Sequence, residues 1–324
     1  MEQHLQEAAA GDEAPAGVQE RRRRVAVVGA GVIGAGWAAF FACKGLDVHV
    51  VDAHPGARAR LDDALQRARR TLQALGGLAA EVREPVLGDD LGQAVSGADH
   101  IQEVLPEQLE LKQRVYAQIE ASAPDRCVIA SSSSGIMPSA LQAGMRHPER
   151  LVIAHPCNPP YLMPLVEICG GRETAGWAVE EAEAFYRGLG KRTVRLNREI
   201  TGHLVNRLQA ALWREAVYLA VNGYASVADV DRAVTEGLGA RWAVCGPHEI
   251  FDLSGGELGM AGFLDKLGDA VEAWWASLGQ PRLDAATRQA LIDGMAQAAA
   301  GRGYPQRAQA RDEGVMAQLL ARPN

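Results

Sequence analysis

Residues 151–169 read LVIAHPCNPPYLMPLVEIC. His155 closes an apolar run, a proline-rich turn carrying Asn158 follows, and Glu167 stands on the next apolar run. Such a turn can fold the carboxylate back beside the imidazole. A carboxylate on one ring nitrogen fixes the tautomer and stabilises the imidazolium, which frees the other nitrogen to take a proton from an alcohol. Oxidation of a secondary alcohol needs that base while the carbinol hydrogen leaves as hydride, and such assistance is worth about 10²–10⁴-fold. A lone histidine at a strand end is more often structural; the paired carboxylate tilts the reading towards catalysis. Ser131–Ser134 closes another apolar run, and a hydroxyl such as that of Ser134 at the carboxyl end of a strand is placed for a ligand oxygen. Asn206, early in a long helical pattern, can reach the same oxygen. The competing readings are a turn-forming serine run and a polar residue at a domain interface. His147, His203 and His248 have no comparable partner in the sequence and are read as structural.

A hydride needs an acceptor. Residues 29–34 are GAGVIG, so Gly29, Gly31 and Gly34 form G-x-G-x-x-G around Val32 and Ile33. The first glycine permits a tight turn, the second lets backbone approach a pyrophosphate, and the third lets helix and strand pack closely. The helix that follows offers free N–H groups and a positive dipole end to phosphates. The motif alone is weak evidence. Here a strand precedes it, a helix follows, and a second strand ends in Asp52, placed to accept hydrogen bonds from both ribose hydroxyls. Asp52 favours NAD over NADP, since it would repel a 2′-phosphate, although Arg58 and Arg60 lie near.

These residues need a scaffold of alternating strands and helices. Short apolar runs at 25–29, 47–52, 100–105, 127–131, 151–155, 165–169 and 193–196 read as strands, with helices between most of them, as at 108–122 and 174–190. Repeated βαβ units imply an α/β, Rossmann-type doubly wound, mostly parallel sheet. After residue 197 the strand signal stops. Helical patterns at 204–221, from Ser226 onward, at 257–277 and at 285–300 predict a second, all-helical C-terminal domain over 198–324 that follows an NAD-binding domain over 21–197. Residues 1–20 mix Ala, Gly, Glu, Gln and Pro without periodicity and read as a disordered arm. The Arg21–Arg24 run is read as a solubilising flank, with an anionic-surface or address signal as the alternative.

Composition narrows the function classes. The chain has 324 residues and a net charge of −7, and a mildly acidic surface repels nucleic-acid backbones. No apolar stretch is long enough for a membrane helix, and no signal core opens the chain. The five cysteines are scattered without a CxxC, which reads as reduced thiols in a cytoplasm and gives no metal site.

As a set, GAGVIGAGWA, EVLPEQLELK, SSSSGIMPS, AHPCNPPYLMPLVE and GHLVNRL resemble the 3-hydroxyacyl-CoA dehydrogenase family over about residues 25–260. The resemblance implies an NAD-dependent oxidoreductase and a homodimer formed through the C-terminal domain. It implies His155 as base, Glu167 as its partner, Ser134 and Asn206 as contacts to the substrate oxygen, and Glu107, Lys112 and Asn158 on the nicotinamide side. Two departures separate the chain from the acyl-CoA enzymes. The span between Asp52 and Glu103 is short and its basic residues are all Arg, where those enzymes carry a longer, Lys-rich hairpin that helps hold CoA. Residues 237–250, GLGARWAVCGPHEI, are similar instead to the branch of L-carnitine and L-gulonate 3-dehydrogenases. The guanidinium of Arg241 suits a free carboxylate. Trp242, with Trp213, Tyr161 and Phe251, suits an aromatic wall for a quaternary ammonium, with core packing as the plainer alternative. The expected substrate is therefore a small 3-hydroxy acid, carnitine-like or gulonate-like. A 3-hydroxyacyl-CoA stands second, and a non-catalytic, crystallin-like dinucleotide-binding protein third.

Overall fold

The computed structural model describes residues 22–322, so the arm expected over 1–20 and Arg21 at the head of the basic run lie outside the described residues. One sheet of eight strands forms the first half: β1 Arg24–Val28, β2 Asp47–Val51, β3 Val86–Gly88, β4 His100–Glu103, β5 Val128–Ser131, β6 Leu151–Pro156, β7 Leu165–Gly170 and β8 Arg192–Arg195. Their order is β3-β2-β1-β4-β5-β6-β7-β8, and only the β6–β7 pair is antiparallel. The chain runs outward from β1 on one side, then returns to β4 on the other. That reversal opens a crevice over the carboxyl ends of β1 and β4, the place where such sheets bind ligands.

Six helices flank the sheet: α1 Val32–Cys43, α2 Ala57–Ala74, α3 Leu91–Val95, α4 Leu109–Glu120, α5 Pro138–Leu141 and α6 Gly176–Gly188. Helices α1, α2 and α6 cover one face and bury Trp37, Phe41, Leu61 and Tyr186 against it. Helices α3, α4 and α5 cover the other with Val95, Tyr116, Ile119 and Leu141. This is the doubly wound, mostly parallel sheet that the alternation predicts. Strand β3 is absent from the sequence reading because three residues give no period, and it lies exposed at the sheet edge with Val86 half in solvent.

After β8 the described chain is helical: α7 Val205–Val221, α8 Val227–Arg232, α9 Ala240–Trp242, α10 Pro247–Ser254, α11 Gly259–Ser277, α12 Ala285–Ala299 and α13 Tyr304–Ala321. The Ser226 hydroxyl caps α8 by accepting from the Asp229 amide at 3.1 Å, as the Ser226–Asp229 spacing predicts. A π-helical stretch over Ala233–Gly239 joins α8 to α9. Helix α13 lies beyond the helices read from the sequence. Its Val315, Met316 and Leu319 pack back against the core beneath α1 and α2.

Candidate active site

The cofactor side of the crevice is built by the turn after β1. Gly29 has φ +102°, and a Cβ there would sit 2.7 Å from the Val104 carbonyl oxygen. A Cβ on Gly34 would lie 1.9 Å from the Gly29 carbonyl oxygen, so only glycine lets α1 start this close to β1. Gly31 differs: a Cβ there would meet nothing within 4 Å and would project over the N-terminus of α1, the cradle a pyrophosphate requires. Asp52 is fixed at the end of β2 by accepting from the Ala30 amide at 2.6 Å and the His54 amide at 2.7 Å. A cleft of about 730 Å³ runs past Gly31, Val32, Ile33, Asp52 and Glu107 to Ser134. Arg60 lines the same cleft and donates to the Ala30 carbonyl at 2.8 Å, whereas Arg58 turns to Asp62. The acidic residue, the glycine turn and the bare helix terminus fit a dinucleotide.

The proton-handling side is built by the β6–β7 hairpin, whose register sets His155 directly opposite Glu167. His155 Nδ1 lies 2.8 Å from Glu167 Oε2, and both residues are buried. A carboxylate only accepts, so Nδ1 carries the proton and Nε2 is left as the free base. Nε2 accepts from the Ser134 hydroxyl at 3.0 Å. Glu167 Oε1 is taken by the amides of Leu204 at 2.7 Å and Val205 at 3.0 Å, at the start of α7. Burial raises the Glu167 pKa, but the bonds from His155, Val205 and Leu204 outweigh it and hold the carboxyl below its ordinary value. A second cavity of about 520 Å³ holds His155, Ser134, Asn158, Met163, Asn206 and Gln209. Ile33, Ser132 and Ser134 line both cavities, so the base opens onto the cofactor cleft.

Of the expected cofactor contacts Glu107 and Lys112, the first lines the cleft and the second lies beneath it. Glu107 lines the cleft and also braces the serine loop: its Oε1 accepts from the Ser133 hydroxyl, from the Gly135 amide at 2.7 Å and from the Ile136 amide at 2.9 Å. Burial raises its pKa, and these donors together with Lys112 bring it below the usual carboxylate value. Lys112 is buried beneath the cleft, bonded to Glu103 Oε1 at 2.7 Å and the Leu105 carbonyl at 3.1 Å. Tyr116 and Ser131 complete that buried cluster at Glu103 Oε2.

The aromatic wall does not form within the chain. Tyr161 is buried in the sheet core, Phe251 stacks on Phe263 at 4.7 Å, and Trp213 is half exposed. Arg241 and Trp242, on the short α9, do not line the His155 cavity; α9 packs beside the π-helical stretch and α10 instead. Their neighbours Ala240, Ala243 and Val244 face Arg192 and Gln318 across a separate cavity of about 410 Å³. His203, structural by its sequence context, has its ring 5.1 Å from that of His155. No cluster of His, Cys, Asp or Glu able to hold a metal occurs among the described residues.

A glycine turn with an acidic partner, opening onto a carboxylate-braced imidazole with one free nitrogen, defines a pyridine-nucleotide dehydrogenase of alcohols. The comparisons agree. Residues 24–200 match the model of the 3-hydroxyacyl-CoA dehydrogenase NAD-binding domain, and residues 202–302 match that of the C-terminal domain. The chain belongs to the 3-hydroxyacyl-CoA dehydrogenase family and is an NAD-dependent oxidoreductase acting on CH–OH groups. It is 44% identical over 303 residues to the L-carnitine dehydrogenase of Streptomyces coelicolor, covering 93% of this chain and 95% of that protein. Among solved structures it resembles 5-formyl-3-hydroxy-2-methylpyridine 4-carboxylic acid 5-dehydrogenase, an NAD+-dependent dismutase (TM-score 0.79, 30% identity, 94% of this chain and 100% of that one). It also resembles 3-hydroxybutyryl-CoA dehydrogenase of Escherichia coli (TM-score 0.63, 28% identity, 85% of this chain and 57% of that one).

Proposed function

We propose that the protein oxidises the 3-hydroxyl of a small, free 3-hydroxy acid to the 3-keto acid, with L-carnitine as the first candidate and gulonate-type acids next. The observation that carries the reading is the chain of hydrogen bonds from Ser134 through His155 to Glu167 at the junction of the two cavities. The identity to a carnitine enzyme over nearly the whole chain supports the substrate.

The chain's own groups give the proton route. The substrate hydroxyl takes the place of the Ser134 hydroxyl at His155 Nε2 and passes its proton there. The imidazolium that results is offset by Glu167, which is already ionised and fixed by two α7 amides. Ser134 and Asn206 then donate to the oxygen as it becomes a carbonyl. NAD, when bound, supplies the hydride acceptor. The proton leaves His155 for solvent through the open side of the cavity. Glu107 and Asn158 line the nicotinamide side in this reading, and Lys112 acts from below by holding the backbone at Leu105.

Between β2 and β3 the chain holds one helix of 18 residues where the acyl-CoA enzymes carry a hairpin, which favours a free acid over a thioester. Leu208, Trp274 and Trp275 are exposed on the helical half, a surface suited to a homodimer; sedimentation at the dimer mass checks this. The test of function is NADH absorbance across a panel of free 3-hydroxy acids and 3-hydroxybutyryl-CoA, with NAD and NADP side by side. Turnover of a free acid with NAD is expected. Brisk turnover of the thioester and of no acid would overturn the substrate class and leave the base standing.

A further inference from the structure

His203 sits where the chain passes from the sheet to α7, and the proton route does not use it. It is buried, and its φ of 50° lies in the left-handed region. That conformation strains a non-glycine residue and persists only when its surroundings fix it. His203 Nε2 lies 2.9 Å from the Ser133 carbonyl oxygen. A carbonyl only accepts, so Nε2 carries the proton and Nδ1 is a bare lone pair. That Nδ1 is buried and has no hydrogen-bond partner among the described residues. A second proton there would be a desolvated charge beside the His155 ring. Burial, aided by His155, keeps the His203 pKa below its ordinary value against the Ser133 carbonyl, Glu167 and Glu107, the groups that face it.

We infer that His203 is a positioning residue for alcohol oxidation: it ties the Ser133–Ser134 loop to the interdomain turn whose next two amides hold Glu167. Connectivity carries the argument. Ser133 is bonded to His203, and its neighbour Ser134 is bonded to His155 Nε2. Leu204 and Val205, the residues after His203, are bonded to Glu167, which is bonded to His155 Nδ1. One neutral side chain therefore closes a ring through the β5 loop, the β6–β7 hairpin and the start of α7. Asn206, in the first turn of α7 directly after, lines the cavity. Loosening His203 lets Ser134 and Asn206 drift relative to the base, while the cleft built on β1, β2 and α1 keeps its shape. A histidine that served only to fill space would be replaced without loss by phenylalanine.

The inference rests on the dehydrogenase reading of His155, and the test keeps the two apart. Steady-state kinetics with NAD and the best acid of the panel are measured on the wild type, His155→Ala and His203→Phe, His203→Asn and His203→Gln, with melting temperature and NADH binding for each. Asn accepts the left-handed backbone readily but is too short to reach Ser133, whereas the Gln amide reaches as far as the imidazole Nε2. His203→Asn is expected to stay folded and to bind NADH equally, yet to lose on the order of 10²-fold in kcat, the scale of an ångström of misplacement. His203→Phe loses as much, and His203→Gln recovers most of it. The acid limb of kcat/KM keeps a single-proton slope in the wild type and in His203→Gln. Wild-type turnover by His203→Asn, or a folded His203→Gln as slow as His203→Phe, overturns the inference. So does a two-proton slope in the wild type that falls to one in His203→Gln. If His155→Ala keeps the wild-type rate, the assignment of His155 as the base fails instead.

Discussion

Glu167 accepts three hydrogen bonds at once, and its two oxygens do different work. Oε1 is committed to two backbone amides, so a glutamine there must present its carbonyl to them and its NH₂ to His155 Nδ1. That would move the ring proton to Nε2 and remove the lone pair the alcohol needs. Glu167→Gln should therefore fold and bind NADH but lose about 10²–10⁴-fold in kcat, the range of general-base assistance; rates near the wild type would show that the tautomer is set elsewhere. Lys191 gives a pH prediction of another kind. It is buried under the proline turn that carries Asn158, donating to the carbonyls of Pro160 and, at 2.9 Å, Met163. Burial, reinforced by the Lys44 charge, lowers its pKa to about 7 from 10.5. Between those values the unfolded chain holds a proton that the folded chain has released, so this residue's contribution to stability rises with pH across that window. Denaturant titrations from pH 6 to about 10 should show the difference in stability between the wild type and Lys191→Met moving in the wild type's favour. A constant difference would mean that the ammonium stays charged in the fold.

The elements that hold the site are the glycine turn and the β6–β7 hairpin, and both were legible in the sequence for stated reasons. Gly29 and Gly34 answer to backbone atoms only 2.7 and 1.9 Å from where a Cβ would lie, while Gly31 answers to none. Gly34→Ala should thus lower the melting temperature and abolish NADH binding, whereas Gly31→Ala should melt as the wild type does and still bind NADH weakly. Equal stability of the two variants would contradict this division of roles. The hairpin was readable because a short proline turn leaves few registers, and the one observed pairs His155 with Glu167. Strand β3 was not readable, since three edge residues carry no periodicity. The amides of Leu204 and Val205 were invisible for a different reason: a backbone N–H has no signature, and its pairing with Glu167 depends on how the sheet meets α7.

At the scale of the whole molecule, the sheet-then-helices order was plain from where the strand signal stops. Long-range placement was harder. Lys112 matches a motif, yet burial against Glu103 puts it below the cleft rather than in it. Arg241 and Trp242 have suitable chemistry, but α9 does not bring them to the base within one chain. Spacing along a sequence cannot report such distances between elements far apart. His203 carries no sequence signal because its partner is a carbonyl, available at every position and specific only in the fold. What the molecule joins is a dinucleotide cleft and a proton-handling pair across three shared lining residues, Ile33, Ser132 and Ser134.

His155→Ala, assayed for NADH formation with NAD and the best 3-hydroxy acid while NADH affinity is titrated separately, tests that junction most directly. A loss of about 10²–10⁴-fold in kcat with NADH affinity intact is the predicted result. An alanine variant that turns over at the wild-type rate would contradict the assignment of the base.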